Sequence, residues 1–370
     1  MTVDRPGDGP HRRLVARLDN VGDVLLSGPA VRAVAGDGAV TYLTSSVGAP
    51  AAHLLPGVGD VVTFDAPWVP FDAPPVARAA LDELRARLEG CDIDDAVVLT
   101  SHHQSPLPLA LVLREAGVDR IAATSEDYPG SLLDVRGARD PRLHEVEQSL
   151  ALCAQAGFEL APGDDGALWV RLGSREVDLP AEPYVAVHPG ASVSSRGLPI
   201  DAAAAAVTLL ADRGVQVVVT GSRGEAPLVD RLLDRCDLDR RSRERVTRAV
   251  GELDLEQFAH LLAGAAAVVC GNSGPAHLAA AVGTPVVEAF APVVAAHRWH
   301  PWMVPHVLLG HLDTPCPSSC SRGCTVPTQP CLEPFTAAAV IDALVELAPA
   351  SLRPRGGAPA TAPTPEEIHA

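Results

Sequence analysis

Short apolar runs alternate with longer segments in which apolar residues recur every three or four positions, and this alternation covers most of the chain. Runs such as Val40–Thr44 and Tyr184–His188 have the length and β-branched content of buried strands. Segments such as Ile200–Asp212 and Ala337–Leu347 have the spacing of amphipathic helices. Strands that alternate with helices predict βαβ units, and hence an α/β fold built on parallel sheets.

The same layout occurs twice along the chain. Residues 12–160 and 184–348 each contain a full set of predicted strands and helices, and the Pro-, Gly- and Asp-rich residues 161–183 form the predicted linker. We therefore predict two Rossmann-like domains of ordinary size. Residues 1–11 and 349–370 are polar or rich in Pro, Ala and Gly, which is typical of a disordered leader and tail.

Polar turns follow several of the predicted strands in both halves. These turns comprise residues 19–23, 101–103, 188–192, 221–225 and 271–277. Because the carboxyl ends of parallel strands meet at one edge of a sheet, the turns predict a ligand-binding cleft between two facing domains. The first turn, Asp19-Asn20-Val21-Gly22-Asp23, lacks the G-x-G-x-x-G pattern, which disfavours a nicotinamide dinucleotide as ligand.

The turn at 271–277 follows an apolar run at 265–269 and precedes a helix predicted at 278–282. Ser273 or Asn272 is a candidate helix cap, and the free N–H groups of a first helical turn can bind an anion. His277 is predicted to lie beside them. These residues alone leave two interpretations open, a phosphate or sugar-phosphate site and a capped connection with a core histidine.

Three further side chains in the predicted cleft have a functional and an ordinary interpretation. Asp23 is either a general base or a carboxylate that is favourable at a helix start. Arg196 is either a bidentate clamp for a diphosphate or a solvated loop arginine. Glu225 either accepts hydrogen bonds from ribose hydroxyls or is an exposed carboxylate at a helix start.

The composition narrows the class of partner. The net charge of −17 disfavours a nucleic-acid partner, whose phosphates would be repelled. The chain contains no lysine, so arginine is expected wherever a cation is needed. The sequence has no apolar run of membrane-spanning length and no signal-peptide pattern at its start, and we expect a cytoplasmic protein.

Four cysteines crowd into residues 316–331 with the spacing C-x3-C-x3-C-x6-C. They are Cys316, Cys320, Cys324 and Cys331. The spacing is compatible with a structural zinc site, and free or partly oxidised thiols are the alternative. Four histidines upstream are candidate additional ligands or plain loop residues: His297, His300, His306 and His311. The remaining cysteines lie in apolar surroundings and are predicted to be core residues.

Taken together, the turns resemble the heptosyltransferase-like glycosyltransferases of family 9. The matching blocks occur in the family's order: 17–26, then 188–192 with Arg196 and Pro199, then Thr220-Gly221 with Glu225, and 271–287. The last block is the most diagnostic, and the resemblance extends from about residue 13 to residue 347. It implies a GT-B fold, in which two Rossmann-like domains face each other.

The resemblance also implies a metal-independent, inverting transfer of a sugar from a nucleotide-diphosphate donor to a hydroxyl on a glycan, glycolipid or glycoside. Asp23 would be the base, and Asn20 and Gly22 would lie on the acceptor side. Diphosphate and sugar would be contacted by Arg196, Ser192, Asn272, Ser273, Gly274 and His277. The nucleoside would lie near Glu225, Gly221 and Leu253. No catalytic cofactor is implied, and a lipid-linked acceptor would bring the enzyme near a membrane surface.

The chain departs from the family at Asn272, where the family usually has Asp. The departure removes a negative charge near the donor sugar and leaves the identity of that sugar open. Two other functions therefore stay open, a sugar-nucleotide epimerase of similar architecture and a non-catalytic sugar-nucleotide binding protein. The nucleobase, the acceptor and the oligomeric state are not predicted.

Overall fold

The structure, a computed structural model, describes residues 11–70, 73–101, 104–175, 177–316, 323–324, 326 and 329–348. The predicted tail, residues 1–10 of the predicted leader, and Cys320 lie outside the described residues. Two six-stranded sheets organise the described chain, and every strand pair in them is parallel.

The N-terminal domain alternates strands and helices as the apolar pattern predicts. Its strands are β1 (Arg13–Arg17), β2 (Val40–Thr44), β3 (Val58–Thr63), β4 (Asp95–Val98), β5 (Arg120–Thr124) and β6 (Val135–Gly137). Its helices are α1 (Val21–Leu26), α2 (Gly28–Ala35), α3 (Ala49–Leu54), α4 (Arg78–Cys91), α5 (Leu107–Glu115) and α6 (Glu145–Gln155). The strand order is β3-β2-β1-β4-β5-β6.

The C-terminal domain repeats this plan. Its strands are β7 (Tyr184–His188), β8 (Gln216–Gly221), β9 (Val246–Val250), β10 (Ala267–Gly271), β11 (Val286–Ala289) and β12 (His306–Leu309). Its helices are α7 (Ile200–Asp212), α8 (Ala226–Asp234), α9 (Arg240–Arg243), α10 (Leu255–Gly264), α11 (Gly274–Ala281), α12 (Ala296–Trp299) and α13 (Ala337–Leu347). The strand order is β12-β11-β10-β7-β8-β9.

The order of strands reverses at the first strand of each sheet. The crevices therefore lie between β1 and β4 in the first domain and between β7 and β10 in the second. Ligands of doubly wound sheets bind at such switch points, beyond the carboxyl ends of the strands. Strands β1, β4, β7 and β10, which border these crevices, lead into the turns that begin at Asp19, Ser101, His188 and Gly271, and the turn at 221–225 follows the neighbouring strand β8.

Both faces of the sheets are covered by apolar side chains. Along β1, Leu14 and Ala16 pack into one cluster within the N-terminal domain, and Val15 faces another. This second cluster also contains Val268 and Leu278 from the C-terminal domain. The two domains thus share an apolar core beside the cleft, which fixes the cleft's two walls against each other.

The fold confirms the predicted α/β class and the two Rossmann-like domains. The apolar pattern of residues 24–35 predicts the start of one helix, but the structure has two helices, α1 and α2, which meet at Ser27. The Ser27 hydroxyl donates to the carbonyl of Val24 (2.6 Å) and lies 2.6 Å from the Tyr42 hydroxyl, which stabilises the break. The described part of the predicted linker contains no helix or strand. Within the described residues, no helix is both long and apolar enough for a membrane span.

Candidate active site in the interdomain cleft

Asp23 lies in the first turn of α1, directly beyond β1. Its carboxylate accepts a hydrogen bond from Nη2 of Arg17 (2.9 Å). Arg17 ends β1, and its guanidinium also contacts Asp19 (Nε to Oδ2, 2.6 Å) and donates to the Ser101 hydroxyl (2.9 Å). Burial alone would lower the pKa of Arg17, but the surrounding carboxylates raise it above its ordinary value. Asp23 is thus a carboxylate held by a permanently charged arginine.

The second crevice strand, β4, supplies further contacts to this group. Gln104, in the loop after β4, donates from Nε2 to Asp19 Oδ1, and the Ser101 hydroxyl lies 3.4 Å from Asp19 Oδ2. A cavity of about 310 Å³ opens beside Gln104. It is lined by Gln104, Ser105, Pro106, Thr124, Ser125, Glu126, Asp127 and Arg139. Its hydroxyl, amide and charged groups suit a polar ligand next to the Asp19 and Arg17 side chains.

The opposite wall of the cleft is the N-terminus of α11. This helix begins at Gly274, not at residue 278 as predicted, and Ser273 takes the N-cap position. Ser273 is one of the two predicted caps, but its side chain makes no cap bond, because its hydroxyl donates to the carbonyl of Gly271 (3.2 Å). Pro275 has no N–H, and that of Ala276 donates to Ser273 O (3.0 Å). Among the described residues this end presents the N–H groups of Ser273 and Gly274 to a ligand.

The two walls meet at a glycine. A Cβ atom on Gly22 would lie 2.9 Å from Cδ2 of His277 and 3.3 Å from Cα of Gly274. A side chain at position 22 would therefore push α1 away from α11. The glycine lets the turn that carries Asp23 and the turn before α11 approach within van der Waals contact.

His277 is a buried histidine in the second half of the site. Burial, assisted by the positive charge of Arg196, lowers the pKa of His277 to about 4, so the ring is neutral at pH 7. Its Nδ1 is buried and has no hydrogen-bond partner among the described residues. Nδ2 of the neighbouring Asn272 is in the same situation. Buried polar atoms are usually satisfied, so these two nitrogens are available to bond to a ligand or to water.

Arg196 lies in a short 3-10 helix, Ser194–Arg196, next to the end of β10. A Cβ on Gly271 would be 1.8 Å from the carbonyl oxygen of Arg196, so the glycine is required for this loop to pass over the strand end. The loop places the arginine near His277, as its effect on that histidine indicates. Ser192, predicted to bind donor phosphate, is exposed on the same loop.

Glu225 lies at the carboxyl end of β8, beside His188 from β7. The distance from His188 Nε2 to Glu225 Oε2 is 3.6 Å, and Ser222 N donates to the same oxygen (2.7 Å). The contact with His188 is the main cause that lowers the pKa of Glu225 to about 2. A Cβ on Gly190 would overlap Glu225 Oε1. The carboxylate is therefore ionised and oriented, not a freely exposed group.

The remaining predicted nucleoside and acceptor residues are peripheral. Gly221 ends β8, where its carbonyl accepts from Gly251 N (2.9 Å). Leu253 is partly buried just before α10. Asn20 is exposed and occupies the N-cap of α1 without a side-chain cap bond. The structure thus groups Gly22, Asp23, Asn272–Gly274 and His277 most closely.

The cysteine segment is described only in part. Cys316, Cys324 and Cys331 are half-buried free thiols, and burial, followed by the two neighbouring thiols, raises the pKa of Cys331. Within the described residues no group of three or more metal-ligating side chains is assembled. Because Cys320 lies outside them, the predicted zinc site stays a prediction. His297 and His300 instead bond to or stack against groups of the N-terminal domain.

Sequence reasoning missed four charged residues beside the site. They are Arg17, Arg139, Glu145 and Arg298. Arg17 is the first residue of the block 17–26, but the resemblance of that block assigns no role to it. A charged residue that ends an otherwise apolar strand was the available signal for Arg17, since buried charges need partners. Nothing local marks Glu145 and Arg298, whose pairing joins residues 153 positions apart.

Two facing Rossmann-like domains define the GT-B fold, and comparison with solved structures agrees. A family 9 glycosyltransferase from Veillonella parvula DSM 2008 has 14% identity and a TM-score of 0.72, covering 91% of this chain and 97% of that one. ADP-heptose LPS heptosyltransferase II of E. coli has 19% identity and a TM-score of 0.70, covering 91% and 98%. E. coli heptosyltransferase WaaC with ADP-2-deoxy-2-fluoro heptose has 19% identity and a TM-score of 0.65, covering 90% of this chain and 99% of that one.

The sequence comparison is more specific than these fold likenesses. The profile of glycosyltransferase family 9 (heptosyltransferase) matches residues 82–328, more than half of the chain. The chain belongs to this family, as the resemblance of its motifs implied. A search of curated protein sequences gave no match.

Proposed function

We propose that the protein is an inverting glycosyltransferase that moves a sugar from a nucleotide-diphosphate donor to a hydroxyl group of an acceptor. One observation carries this proposal. The carboxylate of Asp23, paired with Arg17, lies on one wall of the cleft, and the N-terminus of α11 with His277 forms the other, in contact through Gly22. A base on one side of the donor sugar and an anion site on the other side suit a reaction in which the acceptor displaces the diphosphate in one step.

In the proposed reaction the acceptor hydroxyl attacks the anomeric carbon of the donor. Asp23 takes the hydroxyl proton, the new C–O bond forms, and the bond from the anomeric carbon to the diphosphate oxygen breaks on the opposite face. The diphosphate leaves with that electron pair. The N–H groups at the start of α11 and the cation of Arg196 stabilise the charge that develops on it.

The donor is proposed to lie along the carboxyl ends of β10, β7 and β8. Asn272 Nδ2 and His277 Nδ1 would bond to the sugar or diphosphate, and the oriented carboxylate of Glu225 would accept from ribose hydroxyls. Solved structures of WaaC contain ADP or an ADP-sugar analogue, which makes ADP-linked sugars the first donors to try. Heptosyl transfer, which the description of the family names, is the first transfer reaction to test.

The acceptor is proposed to enter from the N-terminal domain. The polar cavity beside Gln104 is connected to Asp23 through Asp19 and Arg17, so an acceptor sugar bound there would be near the base. Its mixed lining suits a polyhydroxylated glycan or a lipid-linked glycoside. A cytoplasmic enzyme that works close to a membrane surface is consistent with such an acceptor.

Asn272 supports a second candidate, a non-catalytic sugar-nucleotide binding protein. Its amide stands where the family usually has a carboxylate, and it is buried. Such a protein would bind donors and turn none over.

An epimerase would convert a donor in the absence of any acceptor, so product analysis of donor alone separates it from a transferase.

A thermal-shift screen of the full chain with nucleoside diphosphates and their sugars tests the proposal. A ligand that binds only the folded state at 100 times its Kd stabilises that state by about 2.7 kcal/mol. We expect ADP or another nucleoside diphosphate to raise the Tm, and Glu225→Gln to reduce the rise. If no nucleotide raises the Tm of a folded sample, the proposed donor site is wrong.

The cysteine segment is proposed to hold a structural metal, with zinc as the first expectation, and not to take part in transfer. Elemental analysis of the purified protein decides this. One equivalent of zinc per chain supports the site, and a metal-free protein with titratable thiols excludes it.

A further inference from the structure

Four charged side chains form a continuous chain from the C-terminal domain to Asp23. Arg298 in α12 donates from Nη2 to Glu145 Oε1 at the start of α6. Glu145 Oε2 lies 4.0 Å from Nη1 of Arg17, and Nη2 of Arg17 donates to Asp23 Oδ1 (2.9 Å). Arg298 is the only one of the four that belongs to the C-terminal domain.

Burial makes these contacts depend on one another. The side chains of Arg17, Glu145 and Arg298 are 4%, 3% and 11% exposed. Water therefore cannot replace a missing partner, and removing one member leaves an uncompensated buried charge. We therefore expect that the loss of Arg298 shifts the remaining charged side chains, beginning with Glu145 and Arg17.

Arg17 is shared by three carboxylates, those of Asp19, Asp23 and Glu145. Its contact with Glu145 is the longest of the three, and Glu145 also accepts a hydrogen bond from Arg298. Arg139 is a further half-buried cation near Glu145, and it is joined to the Thr100 carbonyl (3.4 Å). Without Arg298, the nearest strong cation for Glu145 is Arg17.

We propose that Arg298 is a positioning residue, which neutralises Glu145 so that Arg17 stays on Asp23. The inference rests on the proposed role of Asp23 as base. It also means that the base has its cation in place only while the two domains are docked, because Arg298 reaches Glu145 across the domain boundary.

Transfer kinetics of Arg298→Gln test the inference. We expect kcat to fall about 10- to 100-fold, as small displacements of catalytic groups do, with the KM for the donor changed less than about threefold. Arg298→Lys keeps the charge and should recover part of the loss. A rise in donor KM with kcat unchanged would contradict a positioning role.

His297→Ala is the matched control. His297 neighbours Arg298 in α12, and its Nε2 donates to the carbonyl of Pro141 (2.8 Å) across the same domain boundary, but it makes no contact with Glu145. This variant should keep a kcat close to that of the unmodified protein. An equal loss in both variants would mean that domain docking, not the charge on Glu145, sets the rate.

The double variant Glu145→Gln with Arg298→Gln gives the sharpest prediction. Removing both charges leaves no unpaired Glu145 carboxylate to draw Arg17 from Asp23, and the Asp19 contact is the same as in the unmodified protein, so kcat should return to within about fivefold of the unmodified protein. A double variant as slow as Arg298→Gln alone would overturn the inference.

A crystal structure of full-length Arg298→Gln gives a readout that needs no turnover. We expect the Arg17 guanidinium to lie within hydrogen-bond distance of Glu145 and to have left Asp23. An Arg17–Asp23 bond unchanged in that structure would overturn the inference. If the unmodified protein transfers no sugar to any acceptor, the proposed function fails, while this structural test still decides the role of Arg298.

Discussion

At the scale of single residues, the site combines a charged carboxylate with a neutral imidazole. Asp23 is held by Arg17, and His277 is kept uncharged by burial. The sequence predicted both residues, because each lies in a turn of recognisable composition at a strand end. It could not predict that Arg17 would bond to Asp23. Arg17 ends a mainly apolar strand, and only the fold brings the carboxylates of Asp19, Asp23 and Glu145 around that end.

His277 should make the protein less stable in mild acid. Its pKa in the folded protein is about 4, below the ordinary 6.5, so the folded state resists protonation that the unfolded state accepts. Stability from this residue is full above pH 6.5 and is lost as the pH falls from 6.5 towards 4, by about 2 to 3 kcal/mol at most.

Urea unfolding of the ligand-free protein at pH 7 and pH 5 checks this dependence. His277→Gln should lose distinctly less stability between the two pH values than the unmodified protein does. Burial also lowers the pKa of His144, to about 3, but this residue is present in both proteins, so its contribution cancels when their losses of stability are compared. Equal losses in the two proteins would show that His277 is not the group that titrates.

At the scale of elements, the site is the meeting of two helix starts, α1 and α11. Long periodic elements were predictable, and 184–188, 200–212 and 337–347 have the predicted bounds. The short elements β6, β12, α9 and α12 were not predicted, because three or four residues do not display a period. The start of α11 was misplaced because Gly274 and Pro275 suggest a turn, although proline is favourable in a first helical turn.

Gly22→Ala should disturb the contact between α1 and α11. The added methyl would lie 2.9 Å from His277 Cδ2 and 3.3 Å from backbone Cα of Gly274, so something must shift. We expect a loss of about 1 to 3 kcal/mol in the free energy of unfolding, and transfer reduced at least about tenfold.

Gly90→Ala in α4 is the control for that substitution. A Cβ on Gly90 has no neighbour within 4 Å, so alanine should be neutral or stabilise by up to about 1 kcal/mol. Measurement of urea midpoints and transfer rates for both variants decides the point. If Gly22→Ala behaves like Gly90→Ala, the close approach of the two helices is not needed.

At the scale of the whole molecule, the two switch-point crevices face each other across a shared apolar core. The paired βαβ layout made this architecture predictable, and the net charge of −17 disfavoured a nucleic-acid partner. Contacts between the domains were not predictable. The bond between Arg298 and Glu145 and that between Trp302 and the Gly166 carbonyl (2.9 Å) join distant segments whose pairing only the fold reveals.

The rate of sugar transfer by Asp23→Asn tests the central claim most directly. The amide keeps the shape of the side chain but cannot take the acceptor's proton. We expect transfer to fall about 100-fold or more, as for loss of a general base, while the thermal shift produced by the nucleoside diphosphate persists. Transfer at the unmodified rate by Asp23→Asn would contradict the account.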